Sequence, residues 1–330
     1  TTRLVGSEMC IRDRHNDDAF TAMLLTLPLT ANKDELVRPL SSAEFSILRA
    51  RVAACGARRI GDLIGLDVSG IMNLLKVPEA EAYRLCMLLC RTMPLSYAME
   101  RFYEQNLELL TLYDSAYPEN LATRLGDDAP AAMYMCGDAS ILSMPLVGIL
   151  GISGVRMSKK AEDGLRTLVR ALVREGFGIV TSSELGACRL AEAEAVQCGG
   201  KVVCALAGDL MAKKDEEDSA AAIARRQMLL LSLVHPDAPY TGVHALARNR
   251  VVYALSLASF VITTDGKRGE TEALRRRLCD WLYVFDEPEP AGNRVIIARG
   301  ATPVHDVSQM DIQKYARSWR LANAEQLSFL

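Results

Sequence analysis

The chain has 330 residues, 50% of them hydrophobic and 24% charged, with a formal net charge of −3. That length accommodates one large domain plus a smaller one, and no apolar run approaches the roughly 20 residues that a membrane helix requires. An anionic total excludes recognition of nucleic acid by a globally basic surface, so any anion site must be local.

The start of the chain lacks the charged, apolar, small-residue order of a secretory signal, and the expectation is a cytoplasmic protein with no membrane contact. Nine cysteines, none spaced Cys-x-x-Cys, read as reduced thiols, with Cys86, Cys90, Cys204 and Cys279 expected in the core. His235, His244 and His305 have no partner at a metal-ligand spacing, so neither a metal nor another cofactor is expected.

Thr1 to about Arg14 lacks periodicity and reads as translated sequencing-adapter sequence, within a tail over residues 1–39. Ser41 and Ser42 cap an expected helix carrying Phe45, Ile47 and Leu48, and Gly56, Gly61 and Gly65 punctuate the turns that follow. Leu85, Leu88 and Leu89 share a later apolar face that ends in a break at Pro94. These elements imply a small all-helical domain over residues 40–112, SAM-like or helix-hairpin-helix-like. Asp114 to Asp138, punctuated by Pro118 and Pro130, reads as a linker running into an edge strand.

Short apolar runs then alternate with amphipathic stretches. Strands are expected at Leu146 to Leu150, Gly178 to Thr181, Lys201 to Leu206, Leu229 to Val234, Ser259 to Thr263 and Trp281 to Phe285. Helices are expected at Ser158 to Arg174, Ala187 to Gln197, Ala220 to Gln227, Arg250 to Ser256 and Glu270 to Leu278. Right-handed crossovers make this an α/β, Rossmann-like, mostly parallel sheet with helices on both faces, over residues 113–304 and followed by a tail over 305–330. Ligands of such sheets lie outside the carboxyl ends of the strands, so the loops at Gly151 to Ser158, Ser182 to Gly186, Gly208 to Asp209 and Thr264 to Gly269 should share one face.

Arg248-Asn249-Arg250 stands where a loop is expected to meet a helix, and guanidinium forks beside free helix N–H groups suit phosphate. Gly151-Ile152-Ser153-Gly154-Val155-Arg156 has the glycines, hydroxyl and charge of a phosphate loop, with Lys159 close behind, but lacks the third glycine of the dinucleotide fingerprint. Thr264-Asp265-Gly266-Lys267-Arg268-Gly269 offers a similar corner. Each also reads as an ordinary turn or solvated helix face. Cys188 at a helix start reads as a structural thiol or a nucleophile, and Glu184 or Asp265 as solvated carboxylates or a general base without a second partner.

Together these segments resemble the DNA-processing protein A (DprA/Smf) family from about Ser41 to Val304. Tyr117-Pro118-Glu119-Asn120-Leu121, Met133-Tyr134 and Gly137-Asp138 are similar to the family's approach to its first strand. Gly151 to Arg156 is similar to its phosphate loop, and Gly176 to Thr181 to the strand that follows. Arg248-Asn249-Arg250 matches its Arg-Asn-Arg element, and Gly292-Asn293-Arg294 with Gly300 to Val304 its closing segment. The family's second glycine-rich segment reads here Thr181 to Cys188, which keeps Gly186 and brings in Glu184.

The resemblance implies a homodimer that binds single-stranded DNA and helps load the RecA recombinase during natural transformation, without catalytic turnover. It implies phosphate contacts from Arg156, Arg248 and Arg250, aided by Lys159, with Gly151, Ser153, Gly186, Asn249 and Gly269 shaping the groove. Two other readings stand beside it. One is a nucleotide phosphoribohydrolase-like enzyme, from Gly269-Glu270-Thr271-Glu272 at a helix start; the other is a degenerate paralogue acting as a protein-binding scaffold.

Overall fold

A computed structural model describes residues 16–31, 36–56 and 59–322. The stretch read as adapter-derived lies outside the described residues. The chain divides into two compact units, one of residues 1–136 with 232–239 and the other of residues 137–231 with 240–330.

The first unit is built on helix α1 (Asp17–Thr26), whose residues Ala19 to Leu25 are all buried. Expected as tail, this segment is core, because a helix apolar on every side shows no amphipathic stripe yet packs well when surrounded. Around it stand α2 (Ser42–Ala54), α3 (Val68–Leu75), α4 (Glu79–Leu89) and α5 (Thr92–Glu104). Ser41 and Glu44 form a capping box on α2, satisfying two end donors reciprocally. Leu25, Phe45, Leu48, Leu63, Ile71, Leu85 and Leu88 share one core. Pro94 lies in the first turn of α5 rather than at a break, a place where its missing N–H leaves no bond unmade.

Strand β1 (Glu108–Thr111) pairs antiparallel with β2 (Ala132–Gly137), and the linker between them carries a short helix α6 (Glu119–Leu125).

In the second unit every residue of β3 (Leu146–Gly151), β4 (Gly178–Thr181), β5 (Val202–Leu206), β6 (Met228–Ser232) and β7 (Ala258–Thr263) is buried. Strands without a solvent-facing residue are covered on both faces, the environment that unalternating Val/Ile/Leu runs require. With β8 (Trp281–Phe285) and β9 (Thr302–Val304) the order is β6-β5-β4-β3-β7-β8-β9, and the pairs from β5 to β9 are parallel. The expected Rossmann-like α/β class therefore holds. The chain steps outward from β3 to β6 and then returns to lay β7 on the other side of β3. The carboxyl ends of β3 and β7 flank this reversal, where open α/β sheets form their crevice.

Helices α7 (Lys159–Arg174) and α8 (Ala187–Gln197) occupy the expected stretches. Between β5 and β6 there are two short helices, α9 (Leu210–Asp215) and α10 (Glu217–Ala224), in place of a single helix from Ala220. The crossover from β6 to β7 is α11 (Gly242–Leu255), capped by Thr241, which accepts the His244 N–H at 3.1 Å. It begins eight residues before the helix start expected at Arg250. Helices α12 (Arg268–Arg276) and α13 (Gly292–Ala298) follow β7 and β8.

Residues beyond 304, expected as tail, include helix α14 (Gln313–Ala322), whose Tyr315 is fully buried with its ring 5.2 Å from that of Trp281. Cys136, Cys188, Cys204 and Cys279 are buried, whereas Cys90 is exposed, contrary to the core placement expected for it. Among the described residues no helix is long and apolar enough to cross a membrane.

Candidate nucleic-acid interface

Three loops at the carboxyl ends of β3, β4 and β7 are tied together through α11. The first follows β3. A side chain at Gly151 would place its Cβ 2.7 Å from that of Ala187 and 3.0 Å from Thr263 Oγ1, so only glycine lets α8 and β7 approach this closely. Ser153 Oγ donates to Glu184 Oε2 at 2.5 Å and accepts the Leu185 N–H at 3.2 Å, joining the first loop to the second. Arg156 is exposed and has no carboxylate partner among the described residues. Ser158 caps α7 and donates to Glu287, and Lys159, largely exposed, pairs with Asp163 at 3.0 Å.

The second loop, after β4, turns through Ser183 and Gly186, both at positive φ, and its centre is closed by a buried arginine. Arg248 is 4% exposed. It donates to the Ser182 carbonyl, to Glu184 Oε1 at 2.8 Å and to Asn249 Oδ1 at 2.8 Å. Because α11 starts at Gly242, Arg248 and Arg250 lie inside the helix, where backbone N–H groups are already bonded. The helix-start phosphate corner expected from the sequence is therefore absent at these arginines.

Arg250 faces α12 instead. Its Nε lies 3.0 Å from Glu272 Oε1, misaligned for a hydrogen bond, and Arg276 reaches the same oxygen at 3.2 Å. Arg248 and Arg250 thus each face a different glutamate, Glu272 being shared with Arg276, and the shared cationic pocket expected from Arg156, Arg248 and Arg250 is not what these side chains form. Asn249 borders the start of α12, with a Cβ added at Gly269 falling 3.6 Å from its Nδ2.

The third loop, after β7, is held by a residue that sequence reading placed only in a closing motif. Asn293 is fully buried; it accepts the Thr264 N–H at 2.9 Å and donates to the carbonyls of Ile262 and Phe285, each at 2.8 Å. Gly292 beside it could carry no Cβ, which would fall 2.1 Å from the Thr264 carbonyl oxygen. Lys267, exposed on this loop, meets Asp265 at 3.0 Å. Burial pushes the Glu270 carboxyl upward, against a hydrogen bond from Thr264 that lowers it. Cys188 is fully buried and burial raises its thiol, the behaviour of a packing residue. Gly208 and Asp209 follow β5, two strands from β3, and so stand apart from the strand-order reversal.

Two exposed apolar side chains complete the rim and were not singled out by periodicity. Leu185 is 66% and Tyr240 55% exposed, and the Tyr240 phenol is pushed up by partial burial and by the neighbouring Glu184 carboxylate. Their signal in the sequence was only an apolar residue in a polar loop. The resulting surface combines exposed cations, an aromatic ring and a carboxylate held between Arg248 and Ser153. Among the described residues no group of three His, Cys, Asp or Glu side chains could hold a metal ion.

A family model described as DNA recombination-mediator protein A matches residues 108–313. DNA processing protein A from Streptococcus pneumoniae superposes with a TM-score of 0.64 at 17% identity, covering 89% of this chain and 96% of that one. DNA processing protein A from Helicobacter pylori, whose structure was described for its single-stranded DNA binding mode, gives a TM-score of 0.49 at 22% identity, over 61% and 92% of the two chains. A molybdenum cofactor carrier protein from Chlamydomonas reinhardtii gives 0.35 at 15% identity over 50% and 91%. No curated protein matches.

Proposed function

The chain belongs to the DNA recombination-mediator protein A family, and from that premise we propose that it binds single-stranded DNA along the carboxyl-end rim of its parallel sheet. Arg156, Lys159 and Lys267 would meet backbone phosphates, Gly151, Gly186 and Gly269 would leave the backbone approachable, and Tyr240 with Leu185 would offer faces for unstacked bases. Arg248 and Asn249 would form the inner wall, Arg248 anchoring a phosphate after exchange with Glu184. In this reading the protein is a cytoplasmic homodimer that hands the strand to a RecA-type recombinase and turns over no substrate.

One observation carries the reading. Ser153, Glu184 and Arg248, from two different loops and the crossover helix, are linked at the strand-order reversal, and the carboxylate held there occupies the kind of cage that a phosphate would fill. The hydrolase reading has less to draw on, because Glu272 is engaged by Arg250 and Arg276 and Glu270 is buried.

Anisotropy of a labelled oligothymidine titrated at several salt concentrations tests the proposal. Affinity should fall with salt by about 0.7 log unit per log unit for each phosphate neutralised. Replacing Arg156, Lys159 and Lys267 together by Ala should reduce that slope by about 2. A flat salt profile, or a slope unchanged in the triple variant, contradicts it.

A further inference from the structure

The helical unit holds a cationic pocket that strand binding at the sheet rim does not use. It has a volume of about 440 Å³ and opens among α1, α2, the turn at Ile60–Leu63 and Tyr113. On α2 its wall is Ser46, Arg49, Ala50 and Ala53, spaced three and four apart and therefore on one helix face. The two alanines leave space that longer side chains would fill. Arg59 and Asp18 line the pocket from the other side, and one Asp18 oxygen accepts the Gly61 N–H at 2.8 Å.

The arginines of this unit differ in their partners. Arg38 and Arg84 share Glu44 at 2.6 and 2.8 Å, and Arg51 meets Glu81 at 2.6 Å. Arg49 and Arg59 have no ion-pair partner among the described residues; Arg49 lies over the Tyr113 ring, 5.8 Å from its centre. The pocket thus offers two guanidinium groups without an ion-pair partner among the described residues, one of them held against the aromatic ring, and one carboxylate. Among the lining side chains two cations stand against one anion, with Asp127 accepting from the wall residue Ser46 at 2.6 Å. This balance favours a negatively charged ligand that engages both guanidinium groups; the ring favours a planar one, and Asp18 one with a hydrogen-bond donor.

We propose that this pocket binds a phosphorylated nucleotide, its phosphate between Arg49 and Arg59, its base toward Tyr113 and a donor group toward Asp18. A free nucleoside monophosphate and the 5′-phosphorylated end of a strand both present this chemistry. A volume of a few hundred Å³ is the usual scale for a ligand of that size.

Calorimetric titration of the whole chain with dAMP and with deoxyadenosine, and with 5′-phosphorylated and 5′-hydroxyl oligothymidine, tests it. A phosphate preference of about tenfold or more is expected in at least one pair, the pair that shows it identifying the source. Arg49→Gln with Arg59→Gln should cut that preference to within about twofold at an unchanged melting temperature. Ala50→Glu, on an exposed helix position, should do the same by filling the pocket with the wrong charge. Absence of a phosphate preference in both pairs overturns the proposal, as does a preference that survives both the double Arg variant and Ala50→Glu. The dAMP pair is read independently of strand binding, so loss of strand affinity in the Arg156, Lys159 and Lys267 variant does not affect it.

Discussion

In the sheet unit Arg248 and Arg250 lie 2.8 and 3.0 Å from Glu184 and Glu272, whereas in the helical unit Arg49 and Arg59 border an open pocket without an ion-pair partner among the described residues. The difference separates two kinds of anion site. A guanidinium buried against a carboxylate is structural until another anion displaces its partner, and removal of either member leaves a charge uncompensated. An exposed, unmatched guanidinium adds little to stability and is available at once.

The largest effect should come from breaking the buried pair. Arg248→Met leaves the Ser182 carbonyl and Glu184 Oε1 without their arginine donor, Ser153 still holding Oε2, and should cost roughly 3–5 kcal/mol, read by urea unfolding. Arg49→Met should stay within about 0.5 kcal/mol. Similar losses in the two variants would erase the contrast. Glu272→Gln is a gentler perturbation, since Arg250 and Arg276 remain partly solvated; a loss of about 1 kcal/mol is expected, and no loss would make that pair decorative.

The smallest effect concerns acid. Hydrogen bonding to Arg84 holds the Glu44 carboxyl at about 2 instead of its ordinary 4.5. A depressed carboxylate contributes stability that is complete above about 4.5 and lost as pH falls toward 2. Burial acts in the opposite direction on Glu270, whose raised carboxyl favours the folded state as protons are added. Glu44→Gln should therefore flatten the acid-induced loss in the helical unit, and an unchanged acid limb would contradict that sign.

The sheet was legible because its strands are continuous apolar runs separated by amphipathic helices, a pattern that buried parallel strands impose. Helix α1 was not, since being apolar all round it shows neither period. The start of α11 was misplaced because Thr241 and Gly242 follow a proline-punctuated loop and the first helical turns carry Val243, which is exposed. In the candidate interface, Gly151, Ser153 and Arg248 were recognisable as residue types. That Glu184 occupies Arg248 was not, because the contact spans 64 positions and depends on the crossover returning beside β3. Asn293 likewise reads as polar in a short helix until its three buried bonds are seen.

Single-strand affinity of wild type, Glu184→Gln and Arg248→Gln, compared at one low and one physiological salt concentration, tests the central claim most directly. If Glu184 holds the place of a strand phosphate, neutralising it should tighten binding about five- to tenfold, and Arg248→Gln should bind more weakly than wild type. Equal or weaker binding by folded Glu184→Gln would contradict the account.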